Sequence, residues 1–154
     1  MKRFLITCCA MLLGLASTKA EEAIMVDLSK AELKPANGAS TDLLKFDDGK
    51  ISYYVNGSAI LKIQVPADGE YTITLGASCD KAMKKGALIT LKADKDTLKE
   101  NLEIPEESQK DYKVTAKLKK GDVSLSVIYT NDEYKENEYD RNFYLHSVKV
   151  EKAK

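Results

Sequence analysis

The chain has 154 residues, with 24 basic and 24 acidic side chains and a single histidine, a length that supports one domain with a real core. No basic stretch is interleaved with aromatics, which argues against a nucleic acid or an anionic membrane surface as partner. The three cysteines, Cys8, Cys9 and Cys79, are too few and too badly placed for a disulfide framework.

Residues 1–20 read as a signal peptide. Met1-Lys2-Arg3 is basic, residues 4–16 are apolar, and small residues lead to a cleavage site after Ala20. The apolar run is short for a membrane span. Thr7 and Cys8 precede the two early cysteines, which speaks against a lipoprotein. Cleavage removes Lys2, Arg3 and Lys19, leaving 21 basic against 24 acidic residues and Cys79 as the only cysteine. The expectation is a secreted or periplasmic domain over residues 21–154, mildly acidic and without a membrane span.

The domain reads as short strands throughout. Ile24-Met25-Val26 is a first strand, and residues 28–39, with Pro35 and Gly38, an irregular connection. Residues 51–55 are β-prone and meet the turn pair Asn56-Gly57, a hairpin signal. Leu61, Ile63 and Val65 alternate with polar residues, as do Tyr71, Ile73, Leu75 and Ala77 beyond Pro66 and Asp68-Gly69. The two runs read as an antiparallel pair with one wet face. Residues 81–86 are a polar crossing and 87–91 a strand, followed by a turn at 93–96. Residues 97–104 fit a strand, or a short helix with Thr97 and Glu100 as a capping box; the β surroundings favour the strand. Tyr112, Val114, Ala116 and Leu118 alternate, Lys119-Lys120-Gly121-Asp122 turns the chain, and Val123, Leu125, Val127 and Tyr129 alternate again. In the last strand Phe143 and Leu145 are apolar at odd positions, Val148 and Val150 at even ones. That parity change predicts a β-bulge near His146-Ser147. Eight or nine strands with frequent turns predict an all-β fold, a β-sandwich of jelly-roll type.

Catalytic motifs are thin. His146 lies in a strand, Cys79 has no histidine at a nucleophile's spacing, and neither a Gly-x-Ser-x-Gly nor a P-loop is present. The chain is not expected to be an enzyme. The conspicuous chemistry is the connection after Thr130. It holds Asp132, Glu133, Glu136, Glu138 and Asp140 against Lys135. Carboxylates so crowded repel one another, and solvated charge or a bound hard cation must offset that. Asn131, Asp132, Asp140 and Asn142 at the loop's two rims offer oxygens of the kind Ca2+ takes. The spacing is not that of an EF-hand.

Tyr129-Thr130-Asn131-Asp132, then Asp140-Arg141-Asn142-Phe143-Tyr144-Leu145 and Val148-Lys149-Val150, resemble the closing segment of calcium-dependent, xylan-binding carbohydrate-binding modules of families 36 and 60. Leu61 to Ile73 is similar to a hairpin of such jelly rolls, and Leu118-Lys119-Lys120-Gly121 to their late turn. The resemblance implies a non-catalytic module that recognises vicinal hydroxyls of a xylan-like polysaccharide. It implies one Ca2+ held by the side chains of Asp132 and Asp140 and by backbone carbonyls around Tyr139 and Arg141. Asn131 and Asn142 would border the ligand. The chain has no Trp, so Tyr134, Tyr139 and Tyr144 are the groups that could stack on a sugar, Tyr134 foremost. A second, structural calcium of related modules would fall at Asp27 and His146, and a histidine there is a poor ligand for a hard ion. Such modules usually ride on a catalytic domain, so a partner enzyme is expected. The alternative on the same scaffold is an envelope structural or protein-interaction domain that has lost the sugar.

Overall fold

The computed structural model describes residues 22–154; the expected signal peptide and the expected cleavage after Ala20 lie outside them. Among the described residues the chain forms strands β1 (Ile24–Met25), β2 (Glu32–Pro35), β3 (Leu44–Asp47), β4 (Lys50–Tyr53), β5 (Gly57–Val65), β6 (Gly69–Cys79) and β7 (Ala87–Ala93). It continues with β8 (Asp96–Ile104), β9 (Lys110–Leu118), β10 (Gly121–Tyr129), β11 (Glu133–Lys135), β12 (Tyr139–Arg141) and β13 (Phe143–Lys152). Three short 3-10 turns punctuate residues 28–43.

The long strands form two antiparallel sheets. One has the order β3-β4-β13-β6-β9, with β1 also paired to β13; the other has the order β2-β5-β10-β7-β8. Alternation along β5, β7 and β10 turns Leu61, Val65, Ile89, Leu91, Leu125 and Val127 inward, where they meet Ile73, Leu75, Leu145 and Val150 of the first sheet. Each buried aliphatic side chain contributes about 1.5–3 kcal/mol relative to exposure, so the sandwich closes on these two faces.

The strand at 97–104 and the turn before it are as expected. β7 and β8 are joined through Asp94 and Lys95, with Asp94 at φ 52. The bulge also stands where parity placed it: the register of β13 against β6 shifts between Leu145 and Ser147. It lets one strand serve two neighbours, β4 through Phe143 to Leu145 and β1 through Lys149 and Val150.

Four expectations are corrected. Asn56-Gly57 is not a hairpin turn, because β4 and β5 lie in opposite sheets. Gly57 is required there by close approach: a Cβ would lie 2.8 Å from the Lys34 carbonyl oxygen and 2.9 Å from Leu44 Cδ2. Likewise β5 and β6 do not pair, and residues 66–68 cross between sheets. Nor is β6 wet along its outer face, since Thr74 and Ser78 are buried and a Cβ on Gly76 would run into the Ser147 hydroxyl. Finally, the irregular stretch 28–39 contains strand β2.

At the end where β4, β10 and β13 meet, Tyr53, Tyr129 and Phe143 pack as an aromatic cluster. Tyr53 and Phe143 have ring centroids 4.9 Å apart, and Tyr129 and Phe143 5.9 Å. The Tyr53 hydroxyl donates to the Val127 carbonyl at 3.1 Å, and that of Tyr129 to the Arg141 carbonyl at 2.8 Å. This cluster is the floor beneath the acidic connection.

Candidate functional site

The acidic connection is itself a small hairpin. β11 and β12 pair with register Glu133↔Arg141, Tyr134↔Asp140 and Lys135↔Tyr139. Residues 136–138 form its three-residue loop, with Asn137 in the left-handed region at φ 59. Residues directly opposite in an antiparallel pair share a face. Tyr134 and Asp140 therefore stand side by side on one face, while Glu133, Lys135, Tyr139 and Arg141 occupy the other. Part of the negative charge is offset locally, by Lys135 on Glu138 and by Arg141 on Glu133 at 3.3 Å.

Arg141 anchors the hairpin. Its side chain is only 4% exposed. It donates to the carbonyls of Lys85 (3.2 Å), Asn131 (2.6 Å) and Ala82 (3.0 Å). The guanidinium thus ties the hairpin to the turn at 82–85. The Arg141 carbonyl, expected as a calcium ligand, already accepts from the Tyr129 hydroxyl. Tyr139 is half-buried on the face away from the Asp140 side chain. Asn131 is used internally, its Oδ1 accepting from the Leu88 N–H at 2.7 Å and its Nδ2 donating to the Gly86 carbonyl at 3.1 Å. Its amide clamps the start of β7.

Asp132 and Asp140 behave differently. The Asp132 N–H donates to Asn56 Oδ1 at 2.8 Å, which fixes the backbone. Its Oδ1, however, is buried without a hydrogen-bond partner. Burial first, and then the charge of Asp140, hold the Asp132 carboxyl above its ordinary pKa; the Glu133 backbone N–H and, less, Arg141 oppose this only in part. The charge of Asp140 thus acts on the Asp132 carboxyl. Asp140 Oδ2 accepts from Asn142 Nδ2 at 3.1 Å, and the same nitrogen donates to Asp80 Oδ2 at 3.0 Å. Asn142 is buried, and its Oδ1 has no partner. Buried, unpartnered acceptors cost about 1–3 kcal/mol each, and a hard cation is one way to relieve them. Among the described residues no three acidic, histidine or cysteine side chains converge as a metal-ligand group. The carboxylates of Asp132 and Asp140, with the amide and backbone oxygens near them, are hard oxygen donors of the kind Ca2+ takes and a soft metal does not.

The surroundings are shallow. A depression of about 390 Å³ is lined by Lys34, Asn56, Gly57, Tyr129 and Thr130 among others, and its Asn56 is the residue that accepts from the Asp132 N–H. Tyr134 is 67% exposed beside Asp140. Asp27 and His146, the pair matched to a second calcium, hold other partners: Asp27 takes Ser29 and Lys30, and His146 Nε2 lies 2.9 Å from Ser78 Oγ. Sequence reasoning missed Asn56 and Asp80. Asn56 was absorbed into a turn signal; Asp80 follows a strand whose partner, β13, could not be known.

Comparison with known proteins places this sandwich and its acidic hairpin among the carbohydrate-binding modules. The family described as Ca-dependent, xylan-binding carbohydrate-binding modules, family 60, matches residues 72–154, more than half of the chain. The protein belongs to that family and is a non-catalytic module. Among solved structures, the CBM36-1 domain of a multidomain xylanase from the hindgut metagenome of Trinervitermes trinervoides is 14% identical, with a TM-score of 0.64, covering 86% of this chain and 99% of that one. A family 35 module from Clostridium thermocellum is 12% identical, with a TM-score of 0.60, over 86% of this chain and 100% of that one. A ruminal GH26 endo-β-1,4-mannanase is 20% identical, with a TM-score of 0.53, and the match covers 89% of this chain but 27% of the enzyme. At these identities the structural likenesses speak for the fold. Comparison with curated protein sequences gave no match. No helix among the described residues is long and apolar enough to cross a membrane.

Proposed function

We propose that this module binds a xylan-like polysaccharide through one calcium ion held between Asp132 and Asp140. The observation that carries the reading is the buried Asp132 Oδ1, which lacks a partner while the charge of Asp140 acts on it. Asn56 sets the Asp132 backbone, and Asn142 sets Asp140. The carbonyls around Tyr139 and Arg141 are the remaining protein donors. Bound there, the ion supplies directional oxygen coordination to adjacent hydroxyls of a sugar. The exposed Tyr134 ring beside Asp140 offers an apolar face to the same sugar.

A metal suits this location because the surface is shallow. Hydroxyls on an open face exchange water for protein with little net gain, whereas Ca2+ takes oxygen ligands, waters among them, in a flexible geometry. The module is secreted or periplasmic in this proposal, with the domain at residues 21–154, and works alongside a glycoside hydrolase. Two mannanases among the structural neighbours carry a similar sandwich over about a quarter of their length, 28% and 27% of each chain. Isothermal titration with xylan, in calcium and then in excess chelator, tests the mechanism. Binding in calcium alone supports it, and binding that survives chelation sinks it.

A further inference from the structure

The network around Asn142 does not stop at the hairpin. Asp80 lies just beyond the end of β6 and is exposed. Its Oδ2 accepts from Asn142 Nδ2 at 3.0 Å and from the Tyr144 hydroxyl at 2.6 Å. Its backbone N–H donates to the Asn142 carbonyl at 3.0 Å. Both donors fall on one carboxylate oxygen, which leaves Oδ1 as an acceptor held in place and open to solvent. The ring that donates to it, Tyr144, meets Tyr54 edge to face, with centroids 6.3 Å apart and planes at 80°. Lys45 Nζ lies 6.0 Å from the Tyr54 centroid. A fixed carboxylate beside half-buried aromatic rings is the chemistry that takes a neutral sugar: hydroxyls to the carboxylate, C–H face to the ring.

We propose that Asp80, Tyr144 and Tyr54 form a second, metal-free sugar subsite, which holds the saccharide unit next to the one bound at Asp132 and Asp140. The inference rests on the calcium reading above. One nitrogen, Asn142 Nδ2, bonds both Asp80 and Asp140, so the two subsites are neighbours and one chain can lie across both. Asn142 is 6% exposed and its Oδ1 is unpartnered, a second acceptor without a protein donor at the junction. The ligand class is therefore a neutral oligosaccharide of at least two units. Because Asp80 and the Tyr144 hydroxyl already hold each other, little ordering is left to do on binding.

The test uses Asp80→Asn and, separately, Tyr54→Ala, with xylose and xylotetraose as probes and a calcium-dependent melt on each protein. The wild type gains affinity from xylose to xylotetraose. Asp80→Asn loses that gain, roughly ten- to a hundredfold for one charge-assisted hydrogen bond, while keeping its calcium-induced rise in melting temperature. Tyr54→Ala, which removes the ring that meets Tyr144, moves the same way. Wild-type affinity for xylotetraose in both variants overturns the subsite. Loss of the calcium response in Asp80→Asn also overturns it, and makes Asp80 a positioning residue for the ion. A wild type that binds neither sugar defeats the calcium reading itself, an outcome distinct from both.

Discussion

Replacing Asp132 by Asn should change stability in opposite directions with and without calcium. In the free protein the Asp132 carboxylate is a liability: one oxygen is buried without a partner and the charge faces Asp140. Asp132→Asn removes that repulsion and keeps the side chain's shape, so the calcium-free melting temperature rises. In the wild type, calcium binds only the native state and stabilises it by mass action. For an extracellular module with a dissociation constant of about 10⁻⁴–10⁻³ M, about 10 mM calcium contributes roughly 1.4–2.7 kcal/mol. In a domain of this size that is a rise of roughly 4–12 °C. The variant should rise by less than about 1 °C, having lost half of the carboxylate pair. Differential scanning calorimetry in calcium and in chelator reads all four values. A variant that keeps the full calcium response, or that melts lower than wild type in chelator, refutes the assignment of Asp132.

Tyr134→Ala should weaken xylan binding about three- to tenfold with the calcium response intact, because the ring is exposed beside Asp140 and supports no core; titration calorimetry checks this. Arg141→Ala should destabilise the domain by about 3–5 kcal/mol, since it orphans three carbonyls bonded by a nearly buried guanidinium; urea denaturation measures it. Asp132 also fixes a pH dependence. Its folded-state pKa is raised, so the calcium-free fold is relatively stabilised below the ordinary carboxylate pKa and loses that advantage as pH rises through the raised value. Calcium needs the ionised form, so its stabilising effect should fade on acidification at a higher pH than ordinary carboxylates would give, as melts across acid pH would show. His146 should titrate below its usual pKa, first because it is partly buried and second because Lys50 is near; its ring proton shifts in NMR report this directly.

Much of the sandwich was legible because alternation reports which face of a strand is buried. Leu61 to Val65 and Val123 to Tyr129 announced their inward residues, and the parity change after Leu145 located the bulge. Alternation does not say which strand lies alongside. Asn56-Gly57 carries the same turn signal whether the chain returns within a sheet or crosses to the other, and here it crosses. Asp132 and Asp140 stand out in the sequence for a local reason: they flank one short connection, which folds back on itself as the β11–β12 hairpin. Asn56 and Asp80 do not, because only the pairing of β13 with β4 and β6 gathers them at that hairpin. Asn131 shows the same limit, its amide holding the Leu88 N–H and the Gly86 carbonyl. A polar residue beside a site looks the same in sequence whether its amide faces a ligand or clamps the start of β7.

If one ion lies between Asp132 and Asp140 and a sugar touches it, calcium and saccharide must tighten each other's binding by the same factor. The decisive measurement is a calcium titration of the intact domain with and without saturating xylotetraose, paired with the converse titration. The account predicts a lower calcium dissociation constant in sugar and an equal gain for sugar in calcium. Calcium affinity that is blind to the saccharide would contradict it.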